Sequence, residues 1–461
     1  MDARRGVGRV AAIAVGVALG AFAAPASAAE VSWMSGFDDP ATPDSLDRVG
    51  VLKFGPEQAK NVLVLNPGTS SSAAYFKPLA DDIVRETQGR WQVWAVERRE
   101  NQLEDHSVLD QYKRGEATRQ RLADYYFAWL LNPAVTDHFE LIPDSDVAFA
   151  RGWGMKVEVE DLRRVVGAAR AGGRRVVLGG HSLGGSITTA YATWDFKGKP
   201  AATDLSGLVY IDGGSSPTPV TAEEATQSLQ QLESSSPWLN FGGLPAPFGV
   251  IFGTAGGAET VAEPASPSIG WSFPLLPANL KPPMQPTTEA QFGYALDADT
   301  SPPSLIAAQV NAGRLAASGS PRGWERAGEI TPIQRYAAML SGTGVEGADG
   351  GAWYHPTRLT IDARSVANGN ANPAQDVLGV EATHGDDLKR KTPIYAFGAA
   401  LGGQRVLDSA RALAAQSRIP DSQLTLVNRE STYTHNDPSS ASPKNEFVDH
   451  LIPFLAGIAK P

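Results

Sequence analysis

The sequence contains no cysteine. This absence excludes disulfide bonds, thiolate metal sites and a cysteine nucleophile. The chain also has little positive charge, with 40 Lys and Arg residues against 50 Asp and Glu residues and a net charge of −10. A surface that is negative overall argues against nucleic acid or an anionic membrane as a partner. With 461 residues, the chain is long enough to form a stable core without disulfides.

Long apolar runs are equally scarce, and the one that is present lies near the start of the chain. Three arginines precede the apolar residues 10–24, and Ala26-Ser27-Ala28 follows them. A basic segment, a short apolar run and a small-residue cleavage site are typical of a secretory signal peptide. A membrane anchor is the disfavoured alternative, because a span needs roughly 20 apolar residues. We predict a signal peptide at residues 1–28, a secreted or extracytoplasmic mature protein, and no integral membrane segment in the mature chain.

From about residue 50 onwards, short β-rich runs alternate with helical patterns. Strands are predicted at residues 61–66, 91–96, 175–179, 208–211, 392–397 and 423–427. Helical patterns are predicted at residues 76–84, 119–131, 157–169, 184–194, 405–416 and 447–459. Strands that alternate with helices form a parallel sheet with helices on both faces. The predicted fold class is therefore α/β, with a mostly parallel central sheet.

The alternation is interrupted by a long segment rich in Pro, Gly, Ser and Ala at residues 214–390. Only residues 222–233 form a clear helical pattern in this segment, and a structureless run of that length would be unusual. We predict that residues 214–390 are an insertion that packs over the core as a cap. The core then consists of residues 29–213 and residues 391–461.

The main chemical motif is Gly180-His181-Ser182-Leu183-Gly184-Gly185, which lies between a predicted strand and a predicted helix. A Gly-x-Ser-x-Gly motif in this context forms a sharp turn that exposes a nucleophilic serine. The helix that follows directs its first N–H groups towards the place where negative charge develops. The alternative is an ordinary glycine-rich turn between a strand and a helix.

With this motif, the chain resembles the α/β-hydrolase family over residues 50–215 and 391–461. The resemblance implies an α/β-hydrolase fold with a large cap inserted after the sixth strand. It also implies that Ser182 is the nucleophile and that the Leu183 N–H group is one donor of the oxyanion hole. The second donor in this family follows an early strand, where Gly68 matches the family's glycine and makes the Thr69 N–H group the candidate. Pro67 stands where many members of the family have a histidine.

The resemblance also suggests the base and the acid. His435 lies between the last strand and the last helix, where the family keeps its catalytic histidine, whereas His181 is expected to pack beside the serine. Residues 397–403, after the seventh strand, contain no carboxylate, although most members carry the acid there. Asp212, at the end of the sixth strand, is therefore the candidate acid, as in some lipases of the family. The alternatives are an Asp212 that only caps a turn, and Asp408 as the acid.

These residues imply acyl transfer to water through an acyl-enzyme, with no cofactor and no metal. The first prediction is a secreted carboxylic ester hydrolase, similar to esterases and lipases, for small-molecule or lipid-like esters with a hydrophobic acyl or alcohol part. Aromatic and apolar residues at 248–252 and 269–276 suit a lid that lines an acyl pocket, or equally the cap's own core. The alternatives are a serine peptidase or acyltransferase with the same triad, and a non-catalytic binding protein of this fold.

Overall fold

The computed structural model describes residues 29–459, so the predicted signal peptide at residues 1–28 lies outside the described part. Eight strands form the central sheet in the spatial order β8-β7-β6-β5-β3-β4-β2-β1. Strand β2 is antiparallel to both of its neighbours, and all other neighbouring strands are parallel. The predicted mostly parallel sheet is confirmed. The strands are β1 Ser32–Ser35, β2 Arg48–Phe54, β3 Asn61–Asn66, β4 Trp91–Glu97, β5 Arg175–His181, β6 Gly207–Ile211, β7 Ile394–Gly398 and β8 Leu424–Asn428.

The inner strands are apolar runs because both faces of the sheet are covered. Every residue of β3, β4, β6 and β7 is buried. The sequence analysis missed β1 and β2, which lie at one edge of the sheet. The sequence of β1, Ser-Trp-Met-Ser, carries no apolar run, and its pairing partner β2 is itself held by β4, more than 40 residues later in the chain. Such edge strands are specified by their neighbours more than by their own sequence.

Fourteen α-helices occur within residues 29–459. Helices α4, α5 and α12 pack on one face of the sheet, and α1 and α14 pack on the other. None of the described helices combines the length and the apolar composition that a membrane span requires. The helices are α1 Lys77–Glu86, α2 Ser107–Lys113, α3 Arg119–Tyr126, α4 Met155–Arg170, α5 Leu183–Thr193, α6 Ala222–Glu233, α7 Phe248–Ala262, α8 Thr288–Leu296, α9 Ile333–Leu340, α10 Thr357–Ala363, α11 Pro373–Leu378, α12 Gln404–Gln416, α13 Asp437–Ser440 and α14 Glu446–Ala459.

The segment between β6 and β7 contains six helices, α6 to α11, whereas its sequence showed only one clear helical pattern, at residues 222–233. Helices α6, α10 and α11 extend the apolar layer beside α4 and α5. Helices α7, α8 and α9 pack against one another, and α9 also packs against α1. The sequence of α7, Phe-Gly-Val-Ile-Phe-Gly-Thr-Ala-Gly-Gly-Ala-Glu-Thr-Val-Ala, is apolar nearly all round. A helix of this kind shows no 3.6-residue periodicity and is recognisable only once its burial is known.

Candidate active site

Ser182 occupies a sharp turn between β5 and α5. Its backbone is strained, with φ 55° and ψ −122°, and its N–H group donates a hydrogen bond of 3.0 Å to the carbonyl oxygen of Ile211. A Cβ atom on Gly180 would overlap the backbone of Gly184, so only glycine fits at that position. Strain of this kind costs about 1–3 kcal/mol and persists where the surroundings hold it in place. The turn therefore presents the Ser182 side chain at the carboxyl end of the sheet.

Asp212 and His435 form a buried pair next to this turn. The His435 Nδ1 atom lies 2.6 Å from Asp212 Oδ2, and both side chains are at most 2% exposed. Burial raises the pKa of the Asp212 carboxyl, but the contacts with His435 and the Ala399 N–H group outweigh it and hold that pKa below its ordinary value. An ionised carboxylate can only accept a hydrogen bond, so His435 donates from Nδ1. The Nε2 atom of His435 is then the nitrogen that can accept a proton.

The loop after β7 binds the carboxylate of Asp212, which comes from the end of the neighbouring strand β6. Asp212 Oδ1 accepts hydrogen bonds from the N–H groups of Ala399 at 2.7 Å, Gly402 at 3.0 Å and Gly403 at 3.2 Å. Residues 397–403 contain no carboxylate of their own and supply backbone donors to the carboxylate from the neighbouring strand. Asp408 lies on α12 with an exposed side chain that bonds Gln404.

His181 and Tyr75 hold the segment that carries His435. The His181 Nε2–H group donates a hydrogen bond of 2.9 Å to the carbonyl oxygen of His435. Tyr75 stacks on the His181 ring at 5.0 Å and donates a hydrogen bond of 2.8 Å to Asn436 Oδ1. Burial, together with the neighbouring His435, lowers the pKa of His181 to about 3, so its ring is neutral. His181 thus lies beside the serine turn, as expected. Tyr75 and Asn436 were not singled out from the sequence.

The loop after β3 approaches the serine from the other side. A Cβ atom added to Gly68 would lie 3.0 Å from the Ser182 Cβ atom, which shows how closely the two segments pack. The N–H groups of Thr69 and Leu183, the two candidate oxyanion donors, make no hydrogen bond to any other residue within 29–459. Both donors are therefore free to bind a ligand atom.

The topology and these positions together identify the fold. The serine follows β5, the carboxylate follows β6 and the imidazole follows β8, all at one end of a sheet with helices on both faces. A strained serine turn between a strand and a helix, followed along the chain by an Asp and a His at the same end of the sheet, is characteristic of the α/β-hydrolase fold. The chain has the α/β-hydrolase fold.

Comparison with known proteins finds structural similarity at low sequence identity. No profile of a known protein family and no curated protein sequence matches this chain. A candidate lipase of Sulfolobus solfataricus is 14% identical over 93% of this chain and 92% of its own, with a TM-score of 0.48. The thioesterase domain of the curacin biosynthetic pathway is 12% identical over 93% and 100%, with a TM-score of 0.42. A thermophilic esterase of Thermogutta terrifontis is 13% identical over 93% and 99%, with a TM-score of 0.38. All three TM-scores are below 0.5, so the fold is assigned from this chain's own strand order and serine turn.

Arg98 supports the loop that carries Thr69. Its guanidinium donates hydrogen bonds to the carbonyl oxygens of Pro67 at 3.2 Å, Gly68 at 3.1 Å and Ser71 at 3.0 Å, and pairs with Glu100 at 2.7 Å. Residues 97–106 are mostly polar or charged, but Arg98 is only 1% exposed. A run of charged residues is normally solvated, and only the carbonyl groups that converge on Arg98 make its burial possible.

Replacing Gly68 with alanine is expected to lower kcat/KM for an ester about 100-fold, because the added Cβ displaces the Thr69 N–H group from the nucleophile. The measurement is steady-state hydrolysis of p-nitrophenyl butyrate together with a thermal melt. Gly167→Ala, on α4, is the matched control, since its added Cβ meets no atom within 4 Å. Full activity in a folded Gly68→Ala protein would show that Thr69 is not an oxyanion donor.

An apolar cavity opens beside Thr69, Tyr75 and Asn436 and encloses about 200 Å³. Glu259, on α7, also lines the cavity and is the only acidic residue among the lining residues within 29–459. Phe252 stacks on Phe127 in this wall, with ring centroids 4.3 Å apart. The apolar lining comes mainly from the segment between β6 and β7, and includes Phe252, Ile269, Phe273, Leu276, Phe292 and Leu296.

Proposed function

We propose that this α/β-hydrolase is a secreted carboxylic ester hydrolase that acts on esters with a hydrophobic acyl or alcohol part. The observation that carries the proposal is the 2.6 Å contact between His435 and Asp212 beside a serine held at φ 55°. Such a pair lets the imidazole take a proton while the carboxylate stabilises the charged ring. Export is proposed from the sequence pattern of residues 1–28 alone.

In the proposed reaction, Ser182 Oγ attacks the ester carbonyl carbon and His435 Nε2 takes the hydroxyl proton. The N–H groups of Leu183 and Thr69 stabilise the oxyanion of the tetrahedral intermediate. As the C–O bond to the alcohol breaks, His435 returns the proton to the leaving alcohol oxygen. Water then attacks the acyl-enzyme by the same route, which releases the acid and free Ser182.

The cavity supports a hydrophobic ester as the substrate class. Its wall is built from aliphatic and aromatic side chains, and burial of each CH₂ group of a substrate contributes about 0.8 kcal/mol. Residues at 248–252 and 269–276 contribute to this wall, which favours the lid interpretation of these apolar runs. Affinity should therefore increase with the length of the acyl or alcohol chain until the cavity is filled.

The test is hydrolysis of p-nitrophenyl esters from acetate to palmitate by the mature chain, set against p-nitroanilides of the same acids. We expect kcat/KM to rise from acetate to a medium-chain ester, with anilide hydrolysis at least about 1,000-fold slower. Comparable rates on anilides would favour the peptidase alternative. Labelling by a fluorophosphonate would exclude the non-catalytic alternative, and absence of both labelling and hydrolysis would overturn the proposal.

Glu259 provides a prediction about pH. Burial raises the pKa of this carboxyl to about 7, so the group is neutral below that pH and charged above it. A charged carboxylate disfavours entry of an apolar chain. KM for an octanoate ester should therefore rise about tenfold between pH 6 and pH 8, because the neutral fraction of Glu259 falls about tenfold over that range. Glu259→Gln, which stays neutral, should remove the rise, as measured at the isosbestic wavelength of nitrophenol. Acetate hydrolysis is the control, and an unchanged rise in the variant would contradict the prediction.

A further inference from the structure

A second cluster of ionisable groups lies outside the proposed catalytic site. Glu104 and His106 come from the segment after β4, and Asp349 comes from the segment after α9. One oxygen of each carboxylate and one ring nitrogen of His106 lie within 4.8 Å of one another. Asp349 is fully buried, and the side chains of His106 and Glu104 are 7% and 1% exposed.

The separations within this cluster match the ligand spacing of a tetrahedral zinc site. His106 Nε2 lies 3.2 Å from Glu104 Oε2 and 3.5 Å from Asp349 Oδ2. Bonds of 2.0–2.2 Å at tetrahedral angles place two zinc ligands about 3.3–3.6 Å apart. A single ion between the three atoms can therefore contact all of them with little movement.

Two of the three atoms have no other hydrogen-bond partner. Within residues 29–459, neither Glu104 Oε2 nor His106 Nε2 makes a hydrogen bond, although both atoms are buried and lie 3.2 Å apart. Buried polar atoms are rarely left in this state in native proteins, and a bound water or ion is a common explanation. A divalent cation between these atoms would also offset the charge of the two carboxylates that approach each other here.

The remaining atoms of the cluster are held by hydrogen bonds that orient the ligands. The Trp353 N–H group donates to Glu104 Oε1 at 2.7 Å, and the Trp353 indole donates to Asp349 Oδ2 at 2.8 Å. The N–H group of Gly351 donates to Asp349 Oδ1 at 2.7 Å. Hydrogen bonds from neighbouring groups to the ligand side chains are typical of protein metal sites, where they fix the direction of each ligand.

We propose that Glu104, His106 and Asp349 bind one zinc ion. One imidazole nitrogen and two carboxylate oxygens suit Zn²⁺, whereas Ca²⁺ requires six to eight oxygen ligands and Mg²⁺ retains several waters. The site is separate from the proposed ester hydrolysis, for which no metal is predicted. It joins the segment after α9 to the segment after β4.

The zinc would also support the loop that carries Thr69. The N–H group of Ala352 donates to the Ser70 carbonyl oxygen at 3.0 Å, and that of Ser72 donates to the Gly350 carbonyl oxygen at 3.3 Å. The Ser72 hydroxyl bonds the Asp349 carbonyl oxygen. Loss of the ion is therefore expected to lower thermal stability and to lower kcat more than it raises KM.

The test uses untagged mature protein, incubated with ZnCl₂, desalted and analysed for metal by mass spectrometry. We expect about one zinc per chain, a fall in Tm on the order of 5 °C with a chelator, and the visible absorption of four-coordinate cobalt when Co²⁺ replaces zinc. Glu104→Gln and His106→Ala should each lose the metal. Absence of zinc from the wild-type protein, or a Tm unaffected by the chelator, would overturn the proposal and leave a buried ion pair.

His384→Ala is the matched control, because His384 also lies between two aspartates, at 2.7 Å from Asp387 and 3.5 Å from Asp195, but is more exposed. It should keep the zinc, and an equal loss in this variant would contradict the assignment. Should His106→Ala fail to fold, Glu104→Gln, which has nearly the same shape, tests the same site. Ser182→Ala should retain the zinc, so the metal site and the proposed hydrolysis fail or succeed independently.

Discussion

Ser182→Ala is expected to lower kcat for ester hydrolysis on the order of 10⁶-fold, because alanine has no hydroxyl group that could form the acyl-enzyme. Alanine at position 182 must adopt the same strained backbone conformation, with φ 55°, as the serine it replaces. The melting temperature of the variant should therefore stay close to that of the wild-type protein. The measurements are p-nitrophenyl ester turnover, fluorophosphonate labelling and a thermal melt. Labelling should disappear together with turnover.

Ser228→Ala is the matched serine-to-alanine control. The Ser228 hydroxyl donates a hydrogen bond to the Glu224 carbonyl oxygen within α6, and this bond involves no proposed catalytic residue. Activity and labelling should be unchanged in this control. Turnover by Ser182→Ala within tenfold of the wild-type rate would mean that the nucleophile has been misassigned.

Asp212→Asn is expected to lower kcat about 10⁴-fold with a smaller effect on KM. The asparagine oxygen can still accept the hydrogen bonds from Ala399, Gly402 and Gly403, so the loop after β7 should keep its position. The amide nitrogen would instead donate towards His435 Nδ1, which places the imidazole proton on Nε2, where it cannot accept the proton of the serine. The loss therefore arises from the wrong tautomer rather than from unfolding, and a thermal melt checks this.

Asp408→Asn is the control for the acid, because Asp408 is the alternative carboxylate. Its exposed side chain on α12 bonds Gln404 and Arg411 and makes no contact with His435. Full activity is expected. An inactive Asp408→Asn together with an active Asp212→Asn would reverse the assignment of the acid.

The parts of this protein that the sequence predicted are those with a local signature. The serine turn is specified by a glycine on each side of Ser182, which the close packing of Gly180 and Gly184 requires. The buried strands are apolar runs bounded by turns, and the order of Ser182, Asp212 and His435 follows the order of strands. The contact between Asp212 and His435 is an observation, whereas the catalytic roles of the three residues stay predictions that the variants above test.

Features that depend on distant residues did not have such a signature. Nothing local distinguishes Arg98 from a solvated arginine, because its partners are carbonyl groups about 30 residues earlier in the chain. Helix α7 carries no amphipathic period because it is apolar nearly all round. Nothing in the sequence around His106 indicates a cluster, and only its approach to Asp349 in the folded chain reveals one.

The sequence by itself thus determined the α/β alternation, the serine turn and the candidate catalytic residues, since each depends on the chemistry of neighbouring positions. The tertiary structure decided which carboxylate meets His435, which arginine is buried behind the oxyanion loop, and which side chains line the cavity. It also brought Glu104, His106 and Asp349 together across more than 200 residues. The physical reason is that burial and charge pairing depend on the distances between folded segments, and a single sequence does not contain those distances.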